Sequence, residues 1–312
     1  MTSDFVKRIL EKINRPDLLH VLVNDLTGSE LNSILLEVFH HKLKSITPPE
    51  LLNLYQANRL VKPADLPVLE MKRMELEILE LFEKYLFHPI DLAPVSALGS
   101  CSVPAHVDQK KILSAVRGTE VLADSTNAIA LHVCDLIQGS SIATETTKFC
   151  NIQRMLRTQS ISGKGFRPHF RVGCLVTCGK DTGSYSFEKT ALHDHLLVMK
   201  SLFLGYYKMD NLRFRLLGRS GYPKNFLSDV TYYLVNNITD TEIAAIDQSE
   251  KENLYYKGIQ YKVDISYKGK TFEIADGGFV DWTQQILQNK KERMLTSGFG
   301  FDLMYRILHD EL

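Results

Sequence analysis

Six basic side chains crowd one short stretch: Arg154, Arg157, Lys164, Arg167, His169 and Arg171 fall within eighteen residues, and no Asp or Glu occurs between Lys148 and Asp181. A guanidinium meets phosphate or carboxylate oxygens through two parallel hydrogen bonds, so this stretch predicts a local anion-binding site. Glu120, with Asp108 and Arg117, is placed either to bind a ligand or to pair internally. Asp124-Ser125-Thr126-Asn127 opens an apolar helix that Ser125 or Thr126 is expected to cap. The adjacent Gly277 and Gly278 end a strand, where they serve either a ligand's approach to the backbone or a tight turn. Cys174 and Cys178, four apart on one strand face, suit a zinc site with His169 or Cys101, but buried cysteine more often acts as a small hydrophobe. His193 and His195, two apart near a helix start, share no helical face and are expected in surface or capping roles.

Elements of two kinds must position these groups. Residues 1–88 read as a helical domain. Leu31, Ile34, Leu35, Val38 and Phe39 recur at helical spacing behind Ser29 as the expected cap, and Thr47-Pro48-Pro49-Glu50 has capping-box spacing with Pro48 at the first helical position. Arg59 to Pro67 interrupts the pattern before a long helix from Val68 to Tyr85, whose acidic and basic face reads as solvated. Residues 89–312 change period. Strands are expected at 87–95, 119–123, 212–217 and 229–235, and Val107 to Val116 as a helix. Cys150–Leu156 and Phe170–Val176 form a long hairpin about the loop holding Gly163, Lys164 and Gly165, and Tyr255–Ile265 and Lys270–Ala275 form a second about Tyr267-Lys268-Gly269. Helices are expected at 128–137, 188–204 and up to Lys290, then a glycine-bearing strand from Arg293 to Phe301 and a final helix. Strands joined by hairpins define an α+β fold, an antiparallel sheet flanked by helices, and no strand-to-helix glycine fingerprint for a dinucleotide is present.

Composition narrows the partners. With 312 residues, 44% of them hydrophobic, the chain can bury a full core, and 37 basic residues against 37 acidic ones leave no overall attraction to nucleic acid or an acidic membrane. No apolar run nears the roughly 20 residues of a membrane span. Five scattered cysteines predict a reduced, cytoplasmic protein without a disulfide framework.

Taken in order, residues 88–312 resemble the catalytic core of class II aminoacyl-tRNA synthetases, nearest the histidyl branch. Ile90 to Pro94 is similar to the first class motif, a strand ending in proline at a dimer interface, which implies a homodimer. Leu122 to Thr126 resembles the segment that sets a carboxylate and a threonine, here Asp124 and Thr126, against the substrate amino group. Leu156-Arg157-Thr158-Gln159 stands where the second motif has Phe-Arg-x-Glu, and Gly163 to Phe170 resembles its loop and return strand. Arg157 would then contact the ATP α-phosphate, with Gln159 in place of the acid. Asp276-Gly277-Gly278-Phe279-Val280-Asp281 is similar to the Gly-Gly-Arg-Tyr-Asp segment of the amino-acid pocket, with Phe279 at the arginine. Ser297-Gly298-Phe299-Gly300 through Arg306 resembles the third motif, whose arginine grips the γ-phosphate, with Tyr305 in place of an acid.

The resemblance implies a small-molecule ligand, an amino acid or related carboxylate, with ATP and Mg²⁺ as cofactors but no firm metal site. Arg157 and Arg306 would be catalytic. Glu120, Asp124, Thr126, Gln159, Arg167, His169, Arg171, Asp276, Gly277, Gly278, Asp281, Gly298 and Gly300 would bind ligand. No anticodon-binding segment follows the third motif, so tRNA is not the expected acceptor. The N-terminal helices are candidates for a protein partner. The reading favoured by Gln159, Phe279 and Tyr305 is a synthetase-like paralogue that binds its ligand with uncertain catalytic competence. The alternatives are a ligase that adenylates a carboxylate for a non-tRNA acceptor and a non-enzymatic interaction protein.

Overall fold

The computed structural model describes residues 3–140, 146–159, 167–248 and 253–312. Lys164, Gly163 and Gly165 of the basic loop lie outside the described residues. Five helices open the chain: α1 (Asp4–Lys12), α2 (Leu18–His20), α3 (Gly28–Leu43), α4 (Pro48–Ala57) and α5 (Val68–Lys84). Thr27 caps α3, accepting from the Glu30 amide while Glu30 returns to the Thr27 amide, so the cap lies two residues before the expected Ser29. The Thr47/Glu50 capping box on α4 forms as its spacing predicts, with Pro48 opening the helix. Helices α1 to α4 bury no residue, whereas α5 buries Met71, Met74, Ile78 and Phe82 along one face. Each such side chain contributes about 1.5–3 kcal/mol on burial, enough to fix α5 against the sheet.

The remaining elements are β1 (His88–Pro89), β2 (Val95–Ala97), α6 (Ser102–Ala105), β3 (Thr119–Val121), α7 (Ser125–Gln138), β4 (Thr147–Leu156), β5 (His169–Lys180), α8 (Ser186–Lys200), β6 (Asn211–Gly218), α9 (Phe226–Asn237), β7 (Glu242–Ile246), β8 (Lys257–Tyr267), β9 (Lys270–Val280), α10 (Trp282–Leu287), β10 (Glu292–Gly300) and α11 (Phe301–Leu308). Eight strands form one sheet in the order β1-β4-β5-β10-β9-β8-β6-β7, and β2 pairs with β3 separately. The sheet is antiparallel except at its two edges, where β1 runs parallel to β4 and β7 parallel to β6. Both hairpins form where expected, β4–β5 and β8–β9, the second turning through Lys268 and Gly269 at positive φ.

Three expectations fail. The first is the strand at 87–95, which is broken into β1 (His88–Pro89) and β2 (Val95–Ala97) of different sheets, because Pro89 and Pro94 lack the N–H that a continuous ladder needs. Residues 229–235 are helical in α9, because Phe226, Val230 and Leu234 bury at a spacing of four, and that packing outweighs the strand preference of Val, Thr and Tyr. Because α9 is a crossover, it delivers β7 parallel to β6, a strand absent from the sequence reading. Residues 107–116 hold a 3₁₀ turn at Gln109–Lys111 and then pair back on β3 through the Ser114–Glu120 bridge instead of forming a helix.

Two layers cover the sheet. One face packs α5, α8, α9 and α11 into the main core, including Phe82, Leu192, Phe203, Phe226, Phe299 and Met304. The other packs α7 and α10 through Ile129, Val133 and Trp282, and leaves its centre open beneath the α7 N-terminus.

Candidate functional site

Strand alternation decides which hairpin arginines share a site. Side chains two apart on a strand face one way, so Met155 and Arg157 project with Val172 and Cys174 to the open face, while Arg154 and Arg171 project to the other. The basic cluster therefore divides. Arg171 is buried beside Phe301 of α11, with Asp302 and Arg154 near, so neither it nor Arg154 joins the open face.

That face holds a cavity of about 590 Å³, within the size range of small-molecule sites. Its floor is the backbone of β10 around Gly298, paired with Asp276 of β9. A Cβ built on Gly298 meets only Val172 Cγ1, at 3.4 Å, so the missing side chain is open room. The walls carry Arg157, Gln159, Lys111, Asp124, Thr126, Tyr255, Tyr256, Glu273 and Asp276.

Asp124 is the N-cap of α7, so neither Ser125 nor Thr126 caps the helix. Its Oδ1 accepts from the Thr126 amide (2.9 Å) and hydroxyl (2.7 Å), and its Oδ2 accepts from Tyr255 Oη–H (3.1 Å). Arg157 stands beside it, Nη2 3.8 Å from Asp124 Oδ2, with Nε donating to the Ala123 carbonyl (3.1 Å) and its guanidinium over the Phe170 ring. The guanidinium is thereby pre-oriented at the cavity wall.

Asp276 differs. Its nearest donors, Tyr256 Oη and Gln260 Nε2, are both at 3.5 Å from Oδ2, and burial raises its carboxyl above the ordinary aspartate range against the pull of Lys262. Burial likewise holds the Tyr255 and Tyr256 phenols far above their ordinary value, keeping them neutral donors. Asp276 is thus a weakly satisfied carboxylate facing space, the kind of group that accepts a ligand amine. The tyrosine pair, both members of which line the cavity, was missing from the sequence reading.

Other expected site residues lie elsewhere. Glu120 is fully buried and accepts from the Gly99 and Cys101 amides, Ser100 Oγ and Gln109 Nε2 at 2.7–3.3 Å, tying the cavity wall together. Burial alone would raise its carboxyl, but these hydrogen bonds outweigh it and hold it below the usual glutamate value. Gly277 and Gly278 sit within β9, not at its end. A Cβ on Gly277 would lie 2.4 Å from the Thr296 carbonyl, and one on Gly278 2.7 Å from that of Ile259, so both serve packing. Asp281 precedes α10, accepting from Gln285 with Lys257 3.7 Å away, and lines no part of the cavity. Gly300 and Gly298 do line it. Arg306 points away from it to Glu311 (2.6 Å) and the Asp65 carbonyl. Arg167 and His169 line a separate, smaller cavity.

His195 is not at the surface. It is fully buried on the opposite face, bonded to Thr177 Oγ1 (2.8 Å), Ser297 Oγ and, through Ser297, Tyr261, and burial with the nearby Lys148 charge lowers its pKa to about 3. This neutral relay satisfies polar groups under the sheet. All five cysteines are free and buried, and among the described residues no group of three His, Cys, Asp or Glu could hold a metal ion. The carboxylates that line the cavity are Asp124, Glu273 and Asp276, and its cations are Arg157 and Lys111.

This mostly antiparallel sheet flanked by helices has a class II aminoacyl-tRNA synthetase-like fold. The histidyl-tRNA synthetase of S. aureus is similar over 81% of this chain and 70% of its own, with a TM-score of 0.60 and 13% identity. An ATP phosphoribosyltransferase regulatory subunit/histidyl-tRNA synthetase from Bacillus halodurans matches over 80% of this chain and 83% of its own, with a TM-score of 0.60 and 11% identity. A putative threonyl-tRNA synthetase from Aeropyrum pernix covers 76% of this chain and 59% of its own, with a TM-score of 0.56 and 13% identity. At such identities the likeness is one of fold. No protein-family model and no curated protein matches the sequence.

Proposed function

We propose that this chain is a synthetase-like paralogue that binds an amino-acid-like ligand and does not adenylate it. The observation carrying this reading is the polarity of the cavity, with the weakly satisfied Asp276 beside Tyr256 toward one end and Arg157 beside the α7 N-terminus at the other. The ligand's amine belongs at Asp276 and its anionic part at Arg157. Asp276 aligns across the sheet with Gly298, Cys174 and Asn151, and Arg157 lies six residues beyond Asn151. The two groups are therefore offset along the strands as well as across them, and the ligand is extended, such as an amino acid carrying a further group at its carboxylate. Arg306, paired with Glu311 and pointing away from the cavity, favours binding over ATP-dependent ligation. The synthetase likeness also makes a homodimer part of the proposal.

Calorimetric titration with amino acids and their esters or amides, alone and with ATP and Mg²⁺, tests it. Binding should occur without ATP, fall at least tenfold in Arg157→Ala for anionic ligands, and be unmoved in Arg306→Ala. Amino-acid-dependent pyrophosphate exchange would replace this reading with the ligase.

A further inference from the structure

Arg59 and Lys62, from the segment between α4 and α5, meet the base of the β4–β5 hairpin. Two hydrogen bonds latch that segment: Arg59 Nη2 donates to the Thr158 carbonyl, and His169 Nε2 donates to the Lys62 carbonyl (2.6 Å). His169 Nδ1 then accepts from Arg154 Nη1 (2.9 Å), which fixes the ring's tautomer and orientation. Between segment and hairpin lies a cavity of about 240 Å³ lined by Arg59, Lys62, Pro63, Gln159, Arg167 and His169. Among the described residues, its lining has three cationic side chains and no carboxylate. The acid nearest by contact, Asp65, is 3.8 Å from Arg167 Nη2, in a pair exposed on both sides, and such a pair contributes about 0–1 kcal/mol. Lys62 Nζ lies over the Tyr55 ring, 3.9 Å from its centroid, which holds the ammonium near the cavity without neutralising it.

We propose that this smaller cavity is an oxyanion site that takes a phosphate group, whether free phosphate or the phosphate of a monoester. Two guanidiniums and an ammonium from two separate chain segments line a cavity with room for a phosphate group and its waters or ester substituent, and the Gln159 amide adds a neutral donor. The site differs from the main cavity in its cations, because Arg157 is absent from it and Arg59, Lys62 and Arg167 are absent from the main cavity. Gln159 borders both.

Titration of the full-length protein with inorganic phosphate and, separately, glycerol phosphate tests the proposal, each against sodium chloride at matched ionic strength. Saturable one-to-one binding is expected. Arg59→Ala and Arg167→Ala should each weaken it at least tenfold, about 1.4 kcal/mol, while Arg59→Lys retains most of it. Lys224→Ala, removing an exposed charge elsewhere, should change it less than twofold. Tighter binding of the monoester than of free phosphate would identify an esterified ligand, and the reverse would identify the free ion. Should the alanine variants bind as the parent does, or chloride match phosphate, the assignment is overturned. Lys62→Gln supplies the same test if Arg59→Ala loses its fold by thermal melting.

Discussion

Replacing Asp276 by Asn should move ligand binding and fold stability in opposite directions. In the folded protein, burial raises the Asp276 carboxyl above its unfolded value. The sign follows from linkage: between the unfolded value and the raised folded one, the native state holds more protons, so stability falls as pH rises through that window and the cost is complete above it. Asn carries no ionisation to disfavour, and an amide oxygen can still accept at 3.5 Å from Tyr256 and Gln260. Asp276→Asn should therefore melt at or above the parent temperature at neutral pH, with the advantage vanishing as pH falls toward 4. A hydrogen bond between an amine and a carboxylate is worth about 1.5–3 kcal/mol, so the same variant should bind an amine-bearing ligand about tenfold to one-hundredfold more weakly. Scanning calorimetry from pH 4 to 8, paired with isothermal titration, reads both. A variant that melts well below the parent at pH 7 would show that Asp276 holds the fold instead of facing a ligand, and the site assignment would fail with it.

The glycines offer a contrast within one pair of strands. Gly277→Ala forces a methyl against the Thr296 carbonyl and the Tyr261 ring and should cost about 1–3 kcal/mol in denaturant unfolding. Gly298→Ala, with only Val172 at ordinary contact distance, should leave the unfolding midpoint nearly unchanged yet obstruct titration of the cavity. Glu120→Ala strands its donors, two of them in buried residues, and should cost about 2–4 kcal/mol. Because the folded carboxyl is depressed, its stabilisation is full above the ordinary glutamate range and is lost as pH falls through the folded value. The gap between parent and Glu120→Gln in melting temperature should accordingly narrow in acid, and a pH-independent gap would contradict the hydrogen-bond account.

Much of the architecture could be read from local signals. The Thr47/Glu50 capping box, a hairpin glycine and the change from helical to strand period gave the order of most elements and the α+β class. Long-range packing hid the rest. Residues 229–235 are β-branched and aromatic, and only the burial of Phe226, Val230 and Leu234 on one side makes them helical. Six nearby basic residues read as one cluster because sequence distance ignores the pleat, which sends Arg154 and Arg171 through the sheet from Arg157. Glu120 looked like a ligand residue because its partners, Gly99 to Cys101 and Gln109, are brought to it by loops with no periodicity. Asp124, Thr126 and Asp276 do meet in one cavity, and the adjacent tyrosines that complete it carry no spacing signal of their own.

The four helices that bury nothing have a further meaning for how the chain opens. Cooperative unfolding is set by shared apolar burial, and α1 to α4 share none with the sheet, whereas α5 is sewn into it by four side chains. Hydrogen exchange should therefore be slow in the sheet and α5 and fast in the helices before them, giving two tiers of protection. The boundary between the tiers falls in the segment carrying Arg59 and Lys62. An anion that bridges this segment to the hairpin would stitch the upper tier to the lower, so phosphate concentration would govern how often the N-terminal helices detach.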